Sequence, residues 1–90
     1  MNKIILENWI KEALNENNGS GSVLEVAQII WKNHEEDLKA SGNLFYTWQY
    51  NYRWAATNLR HKGILKPANE SPNGIWELNL VEPNKLDFLQ

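Results

Sequence analysis

The chain has 90 residues, 42% of them hydrophobic, with five tryptophans, no cysteine and a formal charge of −2. That composition suits one domain with a modest core, and the absence of thiols excludes a disulfide framework and thiolate metal sites. A net negative charge argues against a generic polyanion binder, and no apolar stretch approaches the length of a membrane span.

In chain order, Lys3 precedes an apolar run that resembles the start of a signal peptide, but Glu7, Lys11 and Glu12 interrupt it and no small-residue cleavage site follows. The expectation is therefore a cytoplasmic domain with no membrane partner. Leu6, Trp9, Ile10, Ala13 and Leu14 recur at helical spacing and predict a first helix over 3–17, ended by "NNGSGS" with Gly19 as its C′ residue. Ser22 and Glu25 form a capping-box pattern ahead of Val23, Val26, Ala27 and Ile30, which predicts a second helix to about Leu38. After "KASGNLFY", Thr47 is the expected N-cap of a third helix through Lys62, with Gly63 as its C′ residue. "ILK" before Pro67 and "IWELNL" after Gly74 are strand-like runs around the turn-rich "PANESPNG". The plan is mainly α with a small β-hairpin (α+β): a winged helix-turn-helix of three helices and a two-stranded wing. Residues 1–80 form that domain, and 81–90 are a tail or the start of a linker. Leu86, Phe88 and Leu89 in the tail are expected to dock against the first helix or to pair with another copy in a homodimer.

Charge is segregated along the chain. From Leu38 to Asn69 there is no Asp or Glu, while Lys39, Arg53, Arg60, Lys62 and Lys66 carry +5, which leaves −7 on the remainder. Such a division steers an anionic partner towards one face. With residues 100° apart on the third helix, Trp48, Tyr52, Ala55, Ala56 and Leu59 share the core-facing sector. Opposite lie Tyr50, Trp54, Thr57 and His61, flanked by Arg53 and Arg60 on one side and by Asn51 and Asn58 on the other. These side chains can read base edges and hold phosphates, and Gln49, Tyr50, Asn51 and Arg53 occupy the helix turns that enter the major groove in related architectures. The candidate DNA contacts are Thr47, Gln49, Tyr50, Asn51, Arg53, Trp54, Thr57, Asn58, Arg60, His61 and Lys66.

"RWAATNLRHKGIL" followed by "GIWELN" resembles the N-terminal winged-helix domain of Mrr-type restriction endonucleases, the matching residues being Trp54, Ala55, Thr57, Leu59, Gly63, Ile64, Gly74, Ile75 and Trp76. The resemblance covers the last third of the chain. It implies a module that targets double-stranded DNA for a nuclease subunit or domain, and no catalysis of its own. The wing "ANESPNG" departs from the family by lacking a basic residue before its glycine, and nothing after residue 81 resembles a nuclease.

Catalytic readings fail on spacing. "HEEDL" at 34–38 has Leu38 where a zincin needs its second histidine, and His34 falls on the apolar stripe, where a hydrogen-bonded, partly buried ring is expected. "DLK" at 37–39 matches the end of a restriction-nuclease core, but that signature needs an upstream acidic residue on a paired strand, and this copy is expected to end a helix. Glu35, Glu36 and Asp37 point in different directions from one helix, so no metal or other cofactor is expected. Among the aromatics, Trp9, Trp31, Trp48 and Trp76 are read as core or near-core, and Trp54 as a brace of its helix against the preceding loop. Two functions remain: DNA binding through the third helix, and a protein-docking winged helix in which Tyr50, Trp54 and the neutral wing form the patch.

Overall fold

The computed structural model describes residues 4–79. Helix α1 (Ile4–Glu16), strand β1 (Ser20–Ser22), helix α2 (Val23–Lys39), helix α3 (Asn43–His61) and strand β2 (Ile75–Glu77) follow in order, with a 3-10 turn at Ala68–Glu70. The expected mainly helical α+β layout is the one adopted. The readings made for residues 81–90, including those of Leu86, Phe88 and Leu89, lie outside the described residues.

Each helix buries the stripe its sequence marks out. Leu6, Trp9, Ile10, Ala13 and Leu14 of α1 meet Val26, Ile30 and Leu38 of α2 and Leu44, Trp48, Tyr52, Ala55, Ala56 and Leu59 of α3 in one core, closed by Leu65 and Trp76. The left-handed residue that ends α1 is Asn18, at φ 62°, one place before the expected Gly19, whose N–H returns to the carbonyl of Leu14 at 2.7 Å. Helix α2 starts with both capping-box bonds: Glu25 N–H donates to Ser22 Oγ at 3.0 Å and Ser22 N–H to Glu25 Oε1 at 2.8 Å. Its backbone departs from helical geometry at His34, where φ is −133°. That is the residue whose ring stacks on Trp9, with centroids 4.1 Å apart, and whose Nε2 lies 2.6 Å from Glu12 Oε1, so α1 grips α2 at its kink. The partly buried, hydrogen-bonded histidine expected from the stripe is what the structure contains.

Helix α3 begins four residues before the expected N-cap. Gly42 caps it at φ 67°, and Thr47 stands inside the helix with its hydroxyl donating to the carbonyl of Asn43 at 3.3 Å. The cause is Leu44, buried one turn below Trp48 on the same stripe, which makes the earlier turn worth forming. The far end is as expected. Gly63 takes φ 79°, and the N–H groups of Gly63 and Ile64 bond the carbonyls of Arg60 at 3.1 Å and Leu59 at 2.9 Å, a Schellman closure that sends the chain towards the sheet.

The wing is larger than a hairpin. Strand β2 pairs antiparallel with β1 in the register Ser20↔Glu77, Gly21↔Trp76, Ser22↔Ile75. On its other edge Leu65 bridges Leu78, with Lys66 N–H on the carbonyl of Glu77 at 2.9 Å and Asn79 N–H on that of Ile64 at 2.8 Å. The expected pairing of the two flanks of the turn is present, and the segment "SGS", read as loop, supplies a second ladder. Its small side chains give no strand signal because its job is close approach. A Cβ on Gly21 would lie 3.0 Å from Asn17 Nδ2 and 3.4 Å from Val26 Cγ2.

Tyr52 joins these parts. Fully buried, it donates its hydroxyl to the carbonyl of Val23 at the start of α2, and its ring meets Trp76 edge-on at 5.1 Å and Trp48 at 5.6 Å. Burial pushes the phenol up to about 12 from its ordinary 10, against a smaller lowering by Arg53. Above pH 10 the unfolded chain gives up this proton while the folded chain holds it, so stability should fall as pH rises from about 10 to about 12. Tyr52→Phe should remove that share of the alkaline loss while costing about 1 to 3 kcal/mol at neutral pH, because the Val23 carbonyl loses its donor. Urea titrations of both proteins across this range measure the difference. Leu59, with no exposed surface, lies where α3 turns into the sheet. Leu59→Ala should cost roughly 2 to 5 kcal/mol, and an unshifted urea midpoint would take Leu59 out of the core.

Candidate nucleic-acid interface

Because the core stripe of α3 includes Leu44, Trp48, Tyr52, Ala55, Ala56 and Leu59, the opposite side of the helix is turned to solvent. Three aromatic residues stand on it: Tyr46 is 82% exposed, Tyr50 67% and Trp54 56%. They are spaced four residues apart, about 6 Å of helix rise between neighbours. Tyr50 and Trp54 approach edge to face with centroids 6.4 Å apart, and together with Arg53 and Thr57 they line a recess of about 250 Å³. No carboxylate belongs to α3 at any position.

The structure brings some of the predicted contacts together and removes others. Tyr50, Arg53, Trp54 and Thr57 form the recess, and Thr47, Asn58 and His61 are exposed. Trp54 does not brace the helix against the preceding loop as expected; its ring partner is Tyr50, one turn away on the same exposed face. Asn51 is withdrawn, being only 7% exposed, with its Nδ2 donating to Thr47 Oγ1 at 3.0 Å. It borders the core sector on the helical wheel, and one turn back Thr47 gives it a partner that spares it from solvent. Gln49 belongs to a different surface, a groove of about 500 Å³ between α2 and α3 lined by Leu24, Trp31, Phe45 and Trp48 among others. Tyr46, the most exposed aromatic among the described residues, precedes the helix expected from Thr47 and does not enter the core for which it was a candidate; the spacing Tyr46, Tyr50, Trp54 is the signal that places it on the outer face. Trp31, expected in or near the core, is half-buried, stacked on Trp48 at 6.4 Å in the wall of that groove.

The +5 of the acid-free segment is largely paired by residues outside it. Lys39 Nζ lies 2.7 Å from Glu35 Oε2, which raises the lysine pKa above its usual value through a hydrogen bond and direct attraction. Lys62 Nζ lies 2.6 Å from Glu7 Oε1 and Lys66 Nζ 3.7 Å from Glu77 Oε1. Arg60 donates Nε–H to the carbonyl of Lys66 at 3.2 Å, keeping its charge while bracing the start of the wing. Arg53 has no ion pair among the described residues and stands beside Trp54. The wing itself carries Glu70 and no lysine or arginine between Pro67 and Gly74.

The Lys62 pair differs in kind from the Lys39 pair. Glu7 is nearly buried in α1, with 10% of its side chain exposed, so the pair clamps the first turn of α1 to the end of α3. Lys62→Ala should cost about 1 to 3 kcal/mol by leaving that carboxylate without its donor. Lys39→Ala, which breaks a solvent-exposed pair, should leave the thermal midpoint where it is. Equal midpoints for the two variants would show that the Glu7 clamp carries no stability.

Among the described residues no helix is long and apolar enough to cross a membrane, and no group of three or more His, Asp and Glu side chains is placed to hold a metal ion. Compared with known proteins, the chain matches no family model, no curated protein and no solved structure, so the likeness to Mrr-type domains rests on its motif residues alone.

Proposed function

We propose that this winged helix is a DNA-binding module that presents the outer face of α3 to double-stranded DNA. One observation carries the reading: an exposed helix face of Tyr46, Tyr50, Arg53, Trp54 and His61, with half-buried Thr57 beside them, on a helix without a carboxylate, in a chain whose net charge is negative. A solvated face with no partner would be expected to carry Glu, Lys and Gln, and three exposed rings on one helix face are unusual on a surface that meets only water. The topology also suits the task, since α3 follows α2 after a three-residue turn, the arrangement in which a second helix lies along a major groove. Together with the Mrr-type resemblance this suggests a cytoplasmic, non-catalytic targeting unit of a restriction or mobile-element system, working with a nuclease subunit or domain.

A protein partner is the second reading, and the ion pairs favour it. Tyr, Trp and Arg are also the side chains that anchor protein interfaces, and the neutralised lysines and Glu70 in the wing leave few cations for phosphates.

Fluorescence anisotropy of a labelled duplex, titrated with the full chain from about 50 to 200 mM salt, separates the two. DNA binding predicts an affinity that falls steadily with salt, and Arg53→Ala should lower the salt slope by about one unit for every duplex tested. Arg60→Ala should lower it similarly, whereas Lys62→Ala should not, its ammonium being committed to Glu7. Asn51→Ala should show itself in stability, because its side chain is buried and satisfied inside the domain. If no duplex binds even at about 50 mM salt, DNA is not the partner and the face belongs to a protein.

A further inference from the structure

We infer that the recess on α3 takes one unpaired nucleobase, stacked on Trp54 with Tyr50 at its edge and its phosphate on Arg53, so that the domain prefers DNA containing an unstacked base over continuous duplex. The inference rests on the DNA-binding reading and names what that site selects.

The chemistry of the recess narrows its ligand. Side chains that read a duplex are thin hydrogen-bonding groups meeting base edges, whereas Tyr50 and Trp54 offer ring surface. Ring surface is matched by the face of a base, and inside a continuous duplex those faces are covered by neighbouring base pairs. A base that has left the stack exposes them, and aromatic stacking on such bases is tolerant of sequence because every base has a π-face. The size agrees. About 250 Å³ is below the roughly 300 to 1,000 Å³ of sites for drug-sized ligands, leaving room for one planar ring system.

Charge sets the sign of the ligand. An aromatic recess could also hold an ammonium group, as in cages for quaternary amines. Here Arg53 lines the same recess and no acid does, so a cation is repelled and an aromatic group attached to an anion is favoured. The Thr57 hydroxyl donates to the carbonyl of Arg53 at 3.3 Å, and the guanidinium is the one charged group lining the recess. Tyr46, a further turn towards the helix start, extends the row of rings and gives a neighbouring unstacked base a second platform.

The test compares three labelled DNAs at about 50 mM salt by anisotropy: a continuous duplex, the same duplex with one unpaired thymidine, and oligothymidylate single strand. The unpaired and single-stranded DNAs should bind about 5- to 150-fold more tightly than the continuous duplex, the range expected for one base stacked on an aromatic ring. Trp54→Ala should bring the three affinities together, Trp54→Phe should restore part of the preference, and Lys39→Ala, whose charge is paired with Glu35, should leave it intact. Trp54 is exposed, so neither of its variants threatens the fold. Equal affinities in the natural protein, or a preference that survives Trp54→Ala, would overturn the base-stacking site while leaving DNA as the partner. Absence of binding to all three would overturn both readings.

Discussion

The hydroxyl of Tyr52, given to the carbonyl of Val23, is the contact on which the arrangement of the domain depends. It is made across 29 residues by a side chain whose ring also meets Trp48 and Trp76, so one residue ties the middle of α3 to the start of α2 and to β2. A buried phenol needs a partner, and few acceptors are open at this depth, because helical and ladder carbonyls are mostly taken. Val23 stands at a junction: its carbonyl, with two lone pairs, can take the phenol beside any helical bond, and its own N–H bonds Gly74 O at 3.2 Å, linking the same point to the entrance of β2. Together with the buried stripe from Leu44 to Leu59, this knot fixes the rotation of α3 about its axis.

That rotation decides what the surface can do. With Tyr52 pointing inward, the residues on the far side of the same helix point outward, and the row Tyr46, Tyr50, Trp54 with Arg53 beside it follows from geometry. The wing is held at the correct end of this face by a second set of contacts. The Schellman closure at Gly63 turns the chain, and Arg60 reaches forward to the carbonyl of Lys66. Helix and wing are therefore joined at the end of α3 by backbone and side-chain bonds.

The motif "RWAATNLRHKGIL" with "GIWELN" has a structural content that can be stated residue by residue. Ala55 and Leu59 are core positions, Gly63 and Gly74 take positive φ, and Trp76 is the ring that Tyr52 touches. Most of its matched positions thus describe how α3 is attached to the sheet. Only Trp54 and Thr57 lie at the recess, so the motif speaks strongly about architecture and weakly about what is bound.

Read alone, the sequence determined the three helices, the capping box at Ser22, the glycine closure at Gly63 and the core stripe of α3, because each depends on residues within a few positions of one another. It also placed Tyr50, Arg53 and Trp54 on one outer face, since helical phase is a local property. Other features were decided only by contacts between distant segments. The pairing of "SGS" with β2 has no side-chain signature, being made by backbone groups and enabled by the absence of a Cβ at Gly21. The extra first turn of α3 exists because Leu44 has a core to enter, and Asn51 is withdrawn by its bond to Thr47 in that extended helix. Charge was the largest difference. The sequence shows five cations in an acid-free segment, but folding delivers Glu7, Glu35 and Glu77 to three of them. Sequence position records where a charge is attached; its field depends on which carboxylates the tertiary structure brings within reach.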